Sequence, residues 1–273
     1  MSNDSIKNEK AKRKGCLIIL FTVIFIIGSA IYFMTAQIRD TKRVEQTLID
    51  RFGWAEQYTP PIDGFITPQR MESFLRVREA VQNHCVDYQA ILADVTALET
   101  LENNQEISTG DKASRGMEGI KSIFSAGPKV MEFLVTRNKV LLDENMGLGE
   151  YLYIYLTAYA ELLANESLPP YADRDESIVS RRARREFVQI LDNQVTALET
   201  SGHASSFGNL RVKIKQEIEA IKDGSHVSPW SNGHTGKTRE SLGPYQTQLA
   251  DLYCSGIVKI ELMQKNRGFQ FDD

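Results

Sequence analysis

TPQRMESFLRVREAVQNHCVDYQAILADVTALET, residues 67–100, decides the fold class. Thr67 is a good N-cap and Pro68 suits the first helical position, where its missing N–H costs nothing. An apolar stripe follows at Phe74, Val81, Cys85, Tyr88, Leu92, Val95 and Leu98, at spacings of three, four or seven. Such spacing puts one apolar face along a helix, so these residues predict a long amphipathic helix packed along one side.

Working outward, the same pattern repeats between stretches of polar punctuation. Upstream, Val44, Leu48, Ile49 and Phe52 predict a helix that stops near Gly53. Between the two helices, Tyr58-Thr59-Pro60-Pro61-Ile62-Asp63-Gly64 reads as a rigid extended piece with an Asp-Gly turn. Downstream, residues 102–116 read as a loop. Met117, Ile120 and Phe124 start a helix that Gly127-Pro128 breaks or kinks before Met131, Leu134 and Leu141 resume it. Met146-Gly147-Leu148-Gly149 reads as a turn, and Tyr151 to Leu163 as a strongly apolar helix with tyrosines at 151, 153, 155 and 159. Helices are predicted over Ile178–Leu198 and around Leu210, Ile214, Ile218 and Ile221. Residues 224–238 read as a loop, and Pro244 opens a last helix with Tyr245, Leu249, Leu252 and Tyr253, stopped near Gly256. No run alternates convincingly between apolar and polar residues, so little sheet is expected. The reading is all-α: a multi-helix bundle of long amphipathic helices.

A second stretch bears on location. GCLIILFTVIFIIGSAIYFMT, residues 15–35, carries no charge. As a helix it would extend about 31 Å, close to the hydrocarbon thickness of a bilayer. The run continues past the small residues Gly28-Ser29-Ala30 through Tyr32 and Phe33, which argues for an uncleaved single-pass anchor rather than a signal peptide. Lys12-Arg13-Lys14 abuts it and leans towards a cytoplasmic N-terminus. The expected organisation is a basic cytoplasmic tail (1–14), a transmembrane helix (15–35), a juxtamembrane helix with a Pro/Gly linker (36–66) and an α-helical domain (67–273). That places the domain in the periplasm of a bacterium, with the lipid bilayer as partner through residues 15–35.

Charge narrows the partners. Setting aside the five basic and two acidic residues of the tail, 27 basic residues face 34 acidic ones. An acidic domain makes a poor general nucleic-acid binder, because phosphate contacts supply most non-specific affinity. Of the three cysteines, Cys16 falls in the apolar run, leaving Cys85 and Cys254 as the one pair that an oxidising compartment would bridge. Both lie on helices expected to face the core.

Candidate chemistry is thin. His203, His226 and His234 could gather a metal with a carboxylate, but His226 and His234 stand in the segment HVSPWSNGH without helical ligand spacing. They read as exposed loop histidines. His84 beside Cys85 suggests a base and a nucleophile, yet adjacent helical residues point to different sides, so Cys85 reads as a buried structural residue. Arg181, Arg182, Arg184 and Arg185 could meet phosphate headgroups or an acidic partner; the plainer reading is a solvated face paired with Asp173, Asp175, Glu176 and Glu186. The tyrosines of 151–159 read as a bundle centre rather than a ligand groove, and Trp230 as an exposed loop aromatic. Val95-Thr96-Ala97-Leu98-Glu99-Thr100 recurs at 195–200, but the flanks do not align, which favours chance similarity of two helix ends over a duplication. No serine stands in G-x-S-x-G and no Gly-rich phosphate loop is present, so no catalytic, cofactor-binding or metal residue is assigned.

The run YTPPIDGFITPQRMESFLRVREAV, residues 58–81, resembles a segment of uncharacterised bacterial envelope proteins that carry an N-terminal hydrophobic segment before a helical domain. The resemblance rests on Thr59-Pro60-Pro61, Asp63-Gly64, Ile66-Thr67, Arg70, Phe74-Leu75 and Val77-Arg78, about a tenth of the chain. It implies a bacterial source and an envelope location, and no activity. Two functions are expected from different classes. The first is a membrane-anchored, non-catalytic binding or scaffolding module with a protein partner in the envelope. The alternative is an envelope hydrolase or metal-dependent enzyme using histidines of the 224–238 loop.

Overall fold

A computed structural model describes residues 38–103, 127–165, 178–200, 207–222 and 236–262; for 86–103, 178–182 and a few single positions it describes the backbone alone. Every element among the described residues is helical and none is a strand. The chain forms a multi-helix bundle, as the apolar periodicity predicts. The helices are α1 (38–52), α2 (Pro68–Asn103), α3 (127–143), α4 (Leu148–Ala158), α5 (Ala160–Asn165), α6 (Ile178–Thr200), α7 (Gly208–Lys222), α8 (Gly236–Leu242), α9 (Gln246–Asp251) and α10 (Ser255–Glu261). No described helix is long and apolar enough to cross a membrane. The expected span, residues 15–35, lies outside the described residues.

The helix ends form for the local reasons expected. Gly53 takes φ +79° and donates its N–H to Ile49 O, closing α1. Thr67 starts α2: its carbonyl accepts from Arg70 and Met71 N–H. Asp63 Oδ1 accepts the Phe65 N–H, and Gly64, at φ +73°, donates to Pro61 O to complete the turn. At the end of α3, Asn145 adopts φ 51°, and Met146 N–H reaches back to Leu141 O. That is a left-handed helix stop, in a residue type that tolerates it. Arg51 and Arg70 then donate to the carbonyls of Leu142, Glu144 and Asn145, matching cations to the negative end of the helix.

Four local expectations change. The turn at 146–149 moves upstream: Gly147 is the N-cap, and Leu148 and Gly149 are already helical. Gly149 allows a close approach, because a Cβ there would stand 2.7 Å from the Ala55 carbonyl oxygen, in a 3-10 turn over Ala55–Gln57. The single helix predicted over Tyr151–Leu163 bends at Tyr159 into α4 and α5. The last helix does not end near Gly256; an extended Cys254 (φ −135°, ψ 102°) precedes α10, which carries Ile257, Val258 and Ile260 into the interior. The loop expected over 224–238 gives way to α8 from Gly236 onward.

One core joins these pieces. Leu48, Ala55, Ile66, Phe74, Tyr151, Tyr155, Phe187, Leu191, Ile218 and Leu249 all belong to it. Thus α1 and the Pro/Gly segment pack into the bundle rather than standing apart. Helix α4 is the centre: nine of its eleven residues are buried, so its tyrosines face other helices and not a groove open to solvent. The Pro-Pro segment is held from outside by α6. Asn193 donates to Glu56 O and Tyr58 O, and Gln194 to Pro61 O and Ile62 O. Pro61 O also accepts from Gly64 N–H, and the side-chain amides add to what the local backbone supplies along this non-helical stretch.

Cys85 and Cys254 form a disulfide, with Cα atoms 5.9 Å apart. It joins α2 to the residue that caps α10 and sits in a small second core with Val81, Phe133, Leu134 and Ile257.

Candidate functional site

The most unusual chemistry of the bundle is a charged cluster with no exposure to water. Arg78 stands one turn after Phe74 and just before Val81, inside the apolar stripe of α2. Arg137 lies between Leu134 and Leu141 on α3, and Glu261 one turn after Ile257 on α10. All three occupy positions where periodicity calls for an apolar side chain, and all three are 0% exposed.

Glu261 is the hub. Its Oε1 accepts from Arg78 Nη1 at 2.6 Å and from the Tyr151 hydroxyl at 2.7 Å; its Oε2 accepts from Arg137 Nη1 at 2.7 Å. Arg78 Nη1 also donates to Tyr151 Oη at 3.0 Å, and Nη2 to the Leu252 carbonyl. Arg137 turns its remaining nitrogens to Asn138 Oδ1. The guanidinium planes meet aromatic rings: Arg78 lies 5.1 Å from the Tyr155 centroid and 5.7 Å from that of Tyr159. Arg137 lies between Phe133 and Tyr151. Cation–π contact of this kind gains strength when water is excluded.

Electrostatics decides what the cluster can do. Burial pushes the Tyr151 hydroxyl far above its usual range; the nearby arginines oppose this without reversing it. Tyr155 and Tyr159 rise for the same reason. For Arg78, burial works against the charge, but Tyr151, Glu261 and the other tyrosines outweigh it and the guanidinium is held more firmly charged than usual. A hydroxyl shifted so far from neutrality is a poor acid–base catalyst at physiological pH. The arrangement is suited to pairing charges and fixing helix positions.

A second, partly exposed set lies at the α3–α4 turn. Arg70 grips Glu150 with two bonds of 2.6 and 2.5 Å, and Arg76 grips Glu144 with two of 2.7 and 2.6 Å. Fork-to-carboxylate pairing of this form is stronger and more directional than single contacts. The 58–81 run is thereby tied into the bundle along its length. Its Pro-Pro segment offers carbonyls to α6, the Gly64 carbonyl accepts from Tyr153, Arg70 clamps α4, and Arg78 enters the core.

His203, His226, His234, Trp230, Arg181 and Arg182 lie outside the residues whose side chains are described. His84 is half-buried and packs edge-on against Phe133, while its neighbour Cys85 is committed to the disulfide and is not a nucleophile. Among the described residues no group of three metal-ligating side chains converges. Arg78 enters the sequence reading only through the 58–81 resemblance, and Arg137 and Glu261 carry no role in it. The available signal was a charge set inside each apolar stripe, three or four residues from large apolar neighbours. No family model matches the chain, and no curated protein or solved structure is found similar to it.

Proposed function

We propose that this chain is a membrane-tethered helical module that binds or scaffolds another protein on the oxidising side of the bacterial inner membrane. One observation carries the reading: the Cys85–Cys254 bridge, which closes the second core and belongs to an oxidising compartment. The uncharged run of residues 15–35 supplies the tether, and Lys12-Arg13-Lys14 orients it with the N-terminus in the cytoplasm. The buried cluster supports a structural over a catalytic part, because its groups spend their hydrogen-bonding capacity largely on one another. Reporter fusions after residue 60 and at Asp273 test the topology, and crosslinking from intact membranes tests the partner. Activity of a cytoplasm-specific reporter at both positions, or no specific crosslinked protein, overturns the proposal.

A further inference from the structure

Among the described residues, the buried cluster of Arg78, Arg137 and Glu261 holds two cations and one carboxylate. Arg78 and Arg137 are both fully buried, and a guanidinium stays charged throughout the pH range of folded proteins. Their shared ion-pair partner is Glu261, one carboxylate for two cations. One unit of positive charge is left in a medium where an uncompensated ion is strongly disfavoured. The same spot holds buried polar atoms without a protein partner: Arg78 Nε and the hydroxyls of Tyr155 and Tyr159. Arg78 faces both rings, and its guanidinium opposes the rise of the Tyr159 hydroxyl, whose own proton has no acceptor. A fourth unpartnered atom, Gln82 Oε1 one turn along α2, is an acceptor and falls outside this donor set.

Three spare donors beside one uncompensated cation form the donor set of an anion site. We propose that Arg78, Tyr155 and Tyr159 bind a small monovalent anion of the halide class, chloride, as a counter-ion built into the core. One negative charge neutralises the cluster; a divalent anion would reverse its sign. Both rings are buried with their centroids 5.0 Å apart, which favours an ion of atomic size over a carboxylate or phosphate.

Thermal unfolding of the full chain in detergent, in sodium chloride, bromide or gluconate at equal ionic strength, tests the site. Because an ion that binds only the folded state stabilises by mass action, Tm should rise saturably with halide and not with gluconate. The double variant Tyr155→Phe/Tyr159→Phe keeps the rings and removes the hydroxyls, so it should lose the halide-specific rise. If the double variant does not fold, the single Tyr159→Phe should show a weakened saturable rise. Bromide-grown crystals should give an anomalous peak beside Arg78 Nε. Equal Tm in chloride and gluconate, a halide response unchanged in the variants, or water alone at that position overturns the proposal.

Discussion

Arg78 and Glu261 are 183 residues apart in the chain and 2.6 Å apart in the fold, sealed from water at both ends of the bond. This contact fastens α10 to α2, one turn and more beyond the point where the disulfide already joins them. Helix α10 is short, so its position depends on such tertiary anchors more than on helical propensity.

Removing the hub should be costly. Glu261→Gln removes the carboxylate that both buried guanidinium groups share and should destabilise the fold by about 3–5 kcal/mol. Replacing all three charges together, Arg78→Met, Arg137→Met and Glu261→Leu, should cost much less than that, since no unpaired ion remains. Denaturant midpoints of the two variants check the order.

The disulfide closes a loop with a sequence separation of 169. Cys85→Ser/Cys254→Ser should lose about 2–5 kcal/mol, and the wild type unfolded in reductant should converge on the variant. Intact-mass analysis with and without reduction before alkylation confirms the bridge in protein taken from cells.

Gly149→Ala forces a methyl group against Tyr58 and the Ala55 carbonyl, which are backbone-fixed neighbours of α4. A loss of about 1–3 kcal/mol is expected from the overpacking. Gly208→Ala, with nothing within 4 Å of the new carbon, should stay within about 0.5 kcal/mol of wild type.

Acid should release one clamp. The hydrogen bonds from Arg76 hold the Glu144 carboxyl below its ordinary range. A carboxyl with a depressed folded-state pKa contributes stability above its unfolded value, about 4.3, and loses it as pH falls through the folded value. Glu144→Gln should therefore lower stability at neutral pH and flatten the acid limb, so that the variant and wild-type curves converge below about pH 4. Parallel denaturation series from neutral to acid pH read this directly.

Much of the fold was legible locally. Thr67-Pro68, Gly53 and the Asp63-Gly64 turn behave as their residue types dictate, since caps and turns are settled by a few neighbouring atoms. The helices bearing Leu48, Phe74, Leu141, Leu191 and Ile218 follow their apolar spacing. The errors lie where tertiary packing overrides local pattern. Gly256 looked like a stop, but Ile257, Val258 and Ile260 beyond it find a core to enter. Leu148 and Gly149 looked like a turn, yet Gly149 is there to admit a neighbouring backbone.

The amino-acid sequence alone determined the all-helical class, the main helix positions and the two cysteines able to pair. Periodicity and capping are encoded within a turn or two of chain. The tertiary structure alone decided which charges meet. Arg78, Arg137 and Glu261 interrupt three separate apolar stripes, and in isolation each looks like a flaw in the pattern. Only when α2, α3 and α10 pack together does the low-dielectric interior make each of them depend on the others.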